Sequence, residues 1–91
     1  MNPQDAKKNE AVRQDVLEYL GARPNVAQRA ETIHRKLAKE NPDYSENDIR
    51  IALKFLCELG YVKTQTDSLG STTYFEISAQ GTLYIERNFG I

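Results

Sequence analysis

Tyr44-Ser45-Glu46-Asn47-Asp48-Ile49-Arg50-Ile51-Ala52-Leu53-Lys54-Phe55-Leu56-Cys57-Glu58-Leu59-Gly60-Tyr61-Val62 decides how this chain folds. Ser45 and Asp48 occupy the N-cap and N3 positions of a capping box, in which each side chain takes an otherwise unpaired backbone N–H. Tyr44 and Ile49 then fall at the hydrophobic-staple positions on either side of the cap. Ile49, Ala52, Leu53, Leu56 and Leu59 recur at three- and four-residue steps and form one apolar face. Gly60 stands where a helix stops most easily, because glycine accepts the left-handed backbone of a C-terminal cap. Past it the period changes. Residues 61–66 are rich in strand formers, and so are residues 72–77. Asp67-Ser68-Leu69-Gly70-Ser71 between them is turn chemistry, which predicts a β-hairpin.

Upstream, residues 7–20 favour a helix whose buried face is Val12, Val16, Tyr19 and Leu20, stopped by Gly21 and Pro24. Residues 1–6 read as a polar, flexible tail. Asn25 with Gln28 has the letters of another capping box, and Val26, Ala30, Ile33 and Leu37 supply the stripe of a second helix. Asn41-Pro42 ends it near Glu40. Downstream, Ser78 caps a short last helix through Leu83, Tyr84 and Arg87. A lone hairpin is marginal in water, so it must lie on the helices. The expected fold is α+β and mainly helical. It has a three-helix core, a two-stranded hairpin and a short C-terminal helix, in one domain over residues 7–91.

Composition narrows function. The 91 residues carry 12 Lys+Arg against 13 Asp+Glu, a net charge of −1, which argues against a non-specific basic coat. One Cys and one His cannot make an intrachain disulfide or a Cys/His zinc site, so neither metal nor cofactor is expected. No apolar run approaches the ~20 residues that cross a bilayer, and the polar start shows no signal peptide; the cytoplasm is the expected location. Nucleophile-elbow, P-loop and dinucleotide-binding signatures are all absent, so an enzyme is not expected. Cys57 reads as a buried, inert thiol, and His34 as a structural histidine at the edge of the second stripe.

The order of elements resembles the winged-helix family, the helix-turn-helix variant with a hairpin wing. Ala30-Glu31-Thr32-Ile33-His34-Arg35-Lys36-Leu37 is similar to its second helix, and residues 45–56 to its third. Leu56-Cys57-Glu58-Leu59-Gly60-Tyr61-Val62 resembles the junction into the wing. Ile77-Ser78-Ala79-Gln80-Gly81-Thr82-Leu83-Tyr84 resembles the segment after it in small prokaryotic or phage regulators. The resemblance covers residues 7–88. It implies sequence-specific binding of double-stranded DNA, usually as a homodimer, with the third helix in the major groove and the wing beside the backbone.

A helical wheel places Asn47, Arg50 and Lys54 in one outward row opposite the buried stripe. Asn can bond adenine bidentately, and Arg or Lys can bond guanine O6 and N7, so these are the candidate base contacts. Ser45 lies at the helix N-terminus, and Arg29, Arg35 and Lys36 make the second helix basic; with Lys63 at the wing base they are the candidate phosphate contacts. Apolar excess at Leu17, Tyr84, Phe89 and Ile91 marks a candidate dimer interface. Two readings stand. The outward row and basic second helix favour a DNA-binding regulator. The near-neutral charge, and a wing over residues 65–73 without Lys or Arg, favour a protein-interaction module.

Overall fold

The computed structural model describes residues 3–89. Its elements run α1 Pro3–Gly21, α2 Ala30–Ala38, α3 Glu46–Glu58, β1 Val62–Thr66, β2 Thr73–Ile77 and α4 Ala79–Phe89. This is the expected α+β, mainly helical architecture. Val12, Val16, Leu17, Tyr19 and Leu20 of α1 meet Ile49, Ala52, Leu53 and Leu56 of α3 and Ala30 and Ile33 of α2. Val62, Ile77 and Ile85 close one end of this core. The two strands pair antiparallel from Val62↔Ile77 to Thr66↔Thr73, which anchors the base of the hairpin in the core and leaves its tip outside.

The capping box of α3 forms as read: Ser45 Oγ accepts from Asp48 N at 3.0 Å, and Asp48 Oδ2 accepts from Ser45 N at 2.9 Å. Both staple residues, Tyr44 and Ile49, are buried. Gly60 takes a left-handed φ of 82°, ending the helix. Ser78 stands at the head of α4, where its Oγ accepts from Gly81 N at 3.0 Å and donates to Gly60 O at 2.6 Å.

Four expectations are corrected. First, α1 begins at Pro3, so the helix takes in residues 3–6, read above as tail. Proline is favoured in a first helical turn, because its missing N–H has no partner there anyway. Second, α2 starts at Ala30, with Arg29 at the N-cap making no side-chain cap bond. Asn25 instead adopts a left-handed φ of 68°, turning the chain. Gln28 exchanges both backbone hydrogen bonds with Phe75, at 2.9 and 2.7 Å, and so joins the hairpin as a one-residue third strand. Val26, expected in the stripe, is therefore exposed. Third, α2 ends at Ala38 rather than Glu40, and Asn41 covers the freed carbonyl of Leu37 with its backbone and side-chain N–H groups. Fourth, Leu59 is the C-cap of α3 and is 44% exposed, because the chain leaves the helix there and carries the side chain off the core.

Candidate nucleic-acid interface

Three polar ties fix α3 against α1 and α2. Tyr44 Oη donates to Asp15 Oδ2 at 2.7 Å, and burial together with that carboxylate pushes the Tyr44 hydroxyl well above the usual phenol range. His34 Nε2 lies 2.9 Å from Tyr44 O. Lys8 Nζ donates to Asp43 O at 3.1 Å and pairs with Asp48 at 3.2 Å. The Ser45 N–H, with help from Lys8, holds the Asp48 carboxyl below its ordinary value. Asp48 is thus spent inside the cap and in this tie, which reduces its repulsion of an approaching phosphate.

The outward row lies where the buried stripe dictates. Asn47, Arg50 and Lys54 are all exposed, and Ile51 beside them is half-exposed. Asn47 and Lys54 engage in no ion pair or side-chain hydrogen bond among the described residues. Arg50 is engaged. Its Nε and Nη2 donate to Glu46 Oε2 at 3.0 and 2.9 Å, and Nη2 also donates to Glu31 Oε1 at 2.7 Å. These partners, Glu46 foremost, raise the guanidinium pKa further above its ordinary value.

Two shallow hollows flank this helix. One, lined by Glu31, His34, Arg35, Ala38, Lys39 and Glu46, sets Arg35 of α2 and Lys39 just past its end beside the start of α3. The other, about 360 Å³ and mostly polar, joins Arg29, Glu31 and Arg50 to Ser71, Thr72, Thr73 and Phe75 of the hairpin. The structure therefore sets Arg29 in one hollow with Arg50 and Arg35 in the other with Glu46; Ser45, the N-cap of α3, lines neither. Lys36 is exposed on α2 but lines neither hollow. Lys63 pairs in register with Glu76 on the hairpin and lies outside both. At the wing tip Asp67 accepts from Ser71 N at 3.0 Å and from Ser71 Oγ at 3.1 Å; the Ser71 backbone N–H holds its carboxyl below the ordinary value. Leu69 stands there 88% exposed, an apolar side chain between small turn residues.

A different face carries a groove of about 290 Å³ between α1, α3 and α4, where aromatic and aliphatic side chains lie beside Glu10, Arg13 and Gln14. Tyr61 stacks on Tyr84 with ring centroids 4.6 Å apart, and Phe89 meets Tyr84 edge-on at 6.0 Å. Phe55 and Leu59 form the α3 wall, and the Arg13 guanidinium covers Phe55 at 4.3 Å in a cation–π contact. Tyr84 and Phe89 of the expected dimer patch are here. Leu17 is not available to a partner: at 2% exposure it belongs to the core, because α4 and α3 cover the edge of the α1 stripe. Ile91 lies outside the described residues. Phe55 escaped the sequence reading and Leu59 was expected in the buried stripe, although Ile51, Phe55 and Leu59 form a second apolar row at four-residue steps. Cys57 is half-buried, and burial pushes its thiol pKa up, away from the reactive thiolate. Among the described residues no group of three or more His, Cys, Asp or Glu is placed to hold a metal ion.

A three-helix core with a hairpin leaning on its third helix, extended by a short terminal helix, defines a winged helix. Solved structures agree. One is a transcriptional regulator from Clostridium thermocellum, 16% identical, with a TM-score of 0.73 over 99% of this chain and 85% of that one. Another is the Helicobacter pylori ferric uptake regulator Fur, 22% identical, with a TM-score of 0.67 over 84% of this chain and 52% of that one. The chain thus spans about half the length of Fur. No protein-family model matches the sequence, and no curated protein matches it.

Proposed function

We propose that this protein binds double-stranded DNA in a sequence-dependent way, as a small transcriptional regulator, with α3 in the major groove and α2 across the backbone. The observation that carries the reading is the exposed row Asn47, Arg50 and Lys54. It stands on a helix whose direction is pinned by the Ser45/Asp48 cap and by the ties to Tyr44 and Lys8. Arg35 lies beside the start of this helix, as a phosphate contact on the neighbouring helix should, and Arg29 lies near Arg50 with Glu31 3.9 Å away. The regulators that share the fold support the same reading.

The test is a binding titration on a site selected from random duplexes, with folding checked by circular dichroism. Replacing Asn47 or Lys54 with Ala is expected to cost about 1–3 kcal/mol on that site and to relax selectivity at one position. Absence of any duplex binding by the wild type at low salt would leave the second reading, an assembly module without DNA. The observation favouring that reading is the groove between α1, α3 and α4.

Under either reading we propose a second copy of the chain as the occupant of this groove. Its rim carries Glu10 and Arg13, opposite charges one helical turn apart, which lets the face meet itself across a twofold axis. Sedimentation should show dimers at tens of micromolar, the range of about 6–7 kcal/mol of association free energy. Phe55→Glu should release monomers, and a wild type that stays monomeric there removes the claim.

A further inference from the structure

Arg50 stands between two carboxylates that do different things to it. An arginine can meet a pair of acceptors through its side edge, Nε with Nη2, or through its end edge, Nη1 with Nη2. Glu46 takes the side edge, accepting from both Nε and Nη2 at 3.0 and 2.9 Å. It sits one turn before Arg50 on the same helix, the order in which an acid–base pair best suits the helix dipole. That contact alone would steady the side chain and leave the end edge open for guanine O6 and N7. Glu31 closes the end edge. It reaches over from α2 and takes the second Nη2 hydrogen at 2.7 Å. Its other oxygen lies 3.9 Å from Arg29 Nη1, so it also offsets the cation at the head of α2.

We propose that Glu46 is a positioning residue for Arg50 and that Glu31 is an autoinhibitory clasp on its base-reading edge, one that must open before Arg50 can bond a guanine. The inference rests on the DNA reading above. Both carboxylates are partly exposed, with side-chain accessibilities of 43% for Glu31 and 44% for Glu46. Water therefore competes, and the clasp shifts an equilibrium only by a factor of about two to five. That is weak enough for a DNA site to open it, and large enough to be read in a titration.

Two isosteric variants separate this arrangement from a plain charge effect. Glu31→Gln and Glu46→Gln each remove one negative charge close to Arg50. A general field would make both bind duplex DNA more tightly. The clasp gives opposite signs: Glu31→Gln tightens binding to the selected site about threefold, and Glu46→Gln weakens it about threefold while blurring the preference for guanine at one position. In an Arg50→Ala background the gain from Glu31→Gln shrinks to the small part that Arg29, 3.9 Å from Glu31, supplies. Tightening by both variants, or a Glu31→Gln gain that survives in full in Arg50→Ala, overturns the clasp while leaving the DNA reading in place. If wild type and variants alike ignore duplex DNA at low salt, the DNA reading falls and the clasp with it.

Discussion

Gly81→Ala is expected to lower the melting temperature by roughly 10–20 °C, the result of about 2–3 kcal/mol of overpacking in a domain this small. Gly81 is buried in the first turn of α4, where the helix presses on the start of the hairpin. A Cβ there would run into the Tyr61 carbonyl oxygen, and would lie 2.8 Å from Ile77 Cγ1 and 3.0 Å from the Tyr61 carbonyl carbon. Ile77 has rotamers to try. The Tyr61 carbonyl does not, since it already accepts the Ser78 N–H at 3.0 Å and is followed by the buried Val62. The cost of about 2–3 kcal/mol is what remains after alanine's better helix propensity returns about 1 kcal/mol. Gly70, at the hairpin tip, is the control. Its φ of 72° disfavours a side chain, but an added Cβ meets nothing within 4 Å. Gly70→Ala should therefore cost only about 1–2 kcal/mol, from backbone conformation alone. Thermal unfolding followed by circular dichroism ranks the two, and near-equal melting points would show that α4 can lift from the hairpin freely.

The elements that were legible in the sequence are those whose signals are local. The α3 cap needs only Ser45 and Asp48, and the staple only Tyr44 and Ile49, so both could be read from adjacent letters. The start of α2 was misread because Asn25 and Gln28 each have a competing use. Asparagine tolerates a left-handed backbone, and Gln28 finds its hydrogen-bond partner in Phe75, far along the chain. Leu17 and Leu59 both sit at stripe edges. A helical wheel gives a direction and no depth, and depth depends on whether another element covers that edge. It does at Leu17, and it does not at Leu59. The outward row was legible as the complement of the buried stripe. The state of Arg50 was half legible: its pairing with Glu46 follows from four-residue spacing on one helix. Its bond to Glu31 depends on how α2 crosses α3, which no local pattern specifies.

Raising salt from 50 to 200 mM should weaken duplex binding by a factor that counts the phosphate contacts. If Arg29, Arg35, Lys36 and Lys63 each neutralise a phosphate, the logarithmic slope is about −3.6 per protomer and the loss about 150-fold. The geometry argues for fewer. Arg29 already lies 3.9 Å from the Glu31 carboxylate, and Lys63 is placed on the hairpin opposite Glu76. With Arg35 and Lys36 alone the slope is about −1.8 and the loss about 12-fold. The formal net charge of −1 sharpens the test. A protein without overall positive charge gains little from long-range attraction to DNA, so a steep slope has to come from cations held against the backbone. Replacing Arg35 with Ala should then flatten the slope by about 0.9 and weaken selected and scrambled duplexes alike, whereas Lys54→Ala should discriminate between them. A slope near zero with retained binding would remove α2 from the backbone. A slope unchanged by Arg35→Ala and Lys36→Ala would move the phosphate contacts to cations elsewhere, with Lys39, which shares the hollow beside α3, the next to replace.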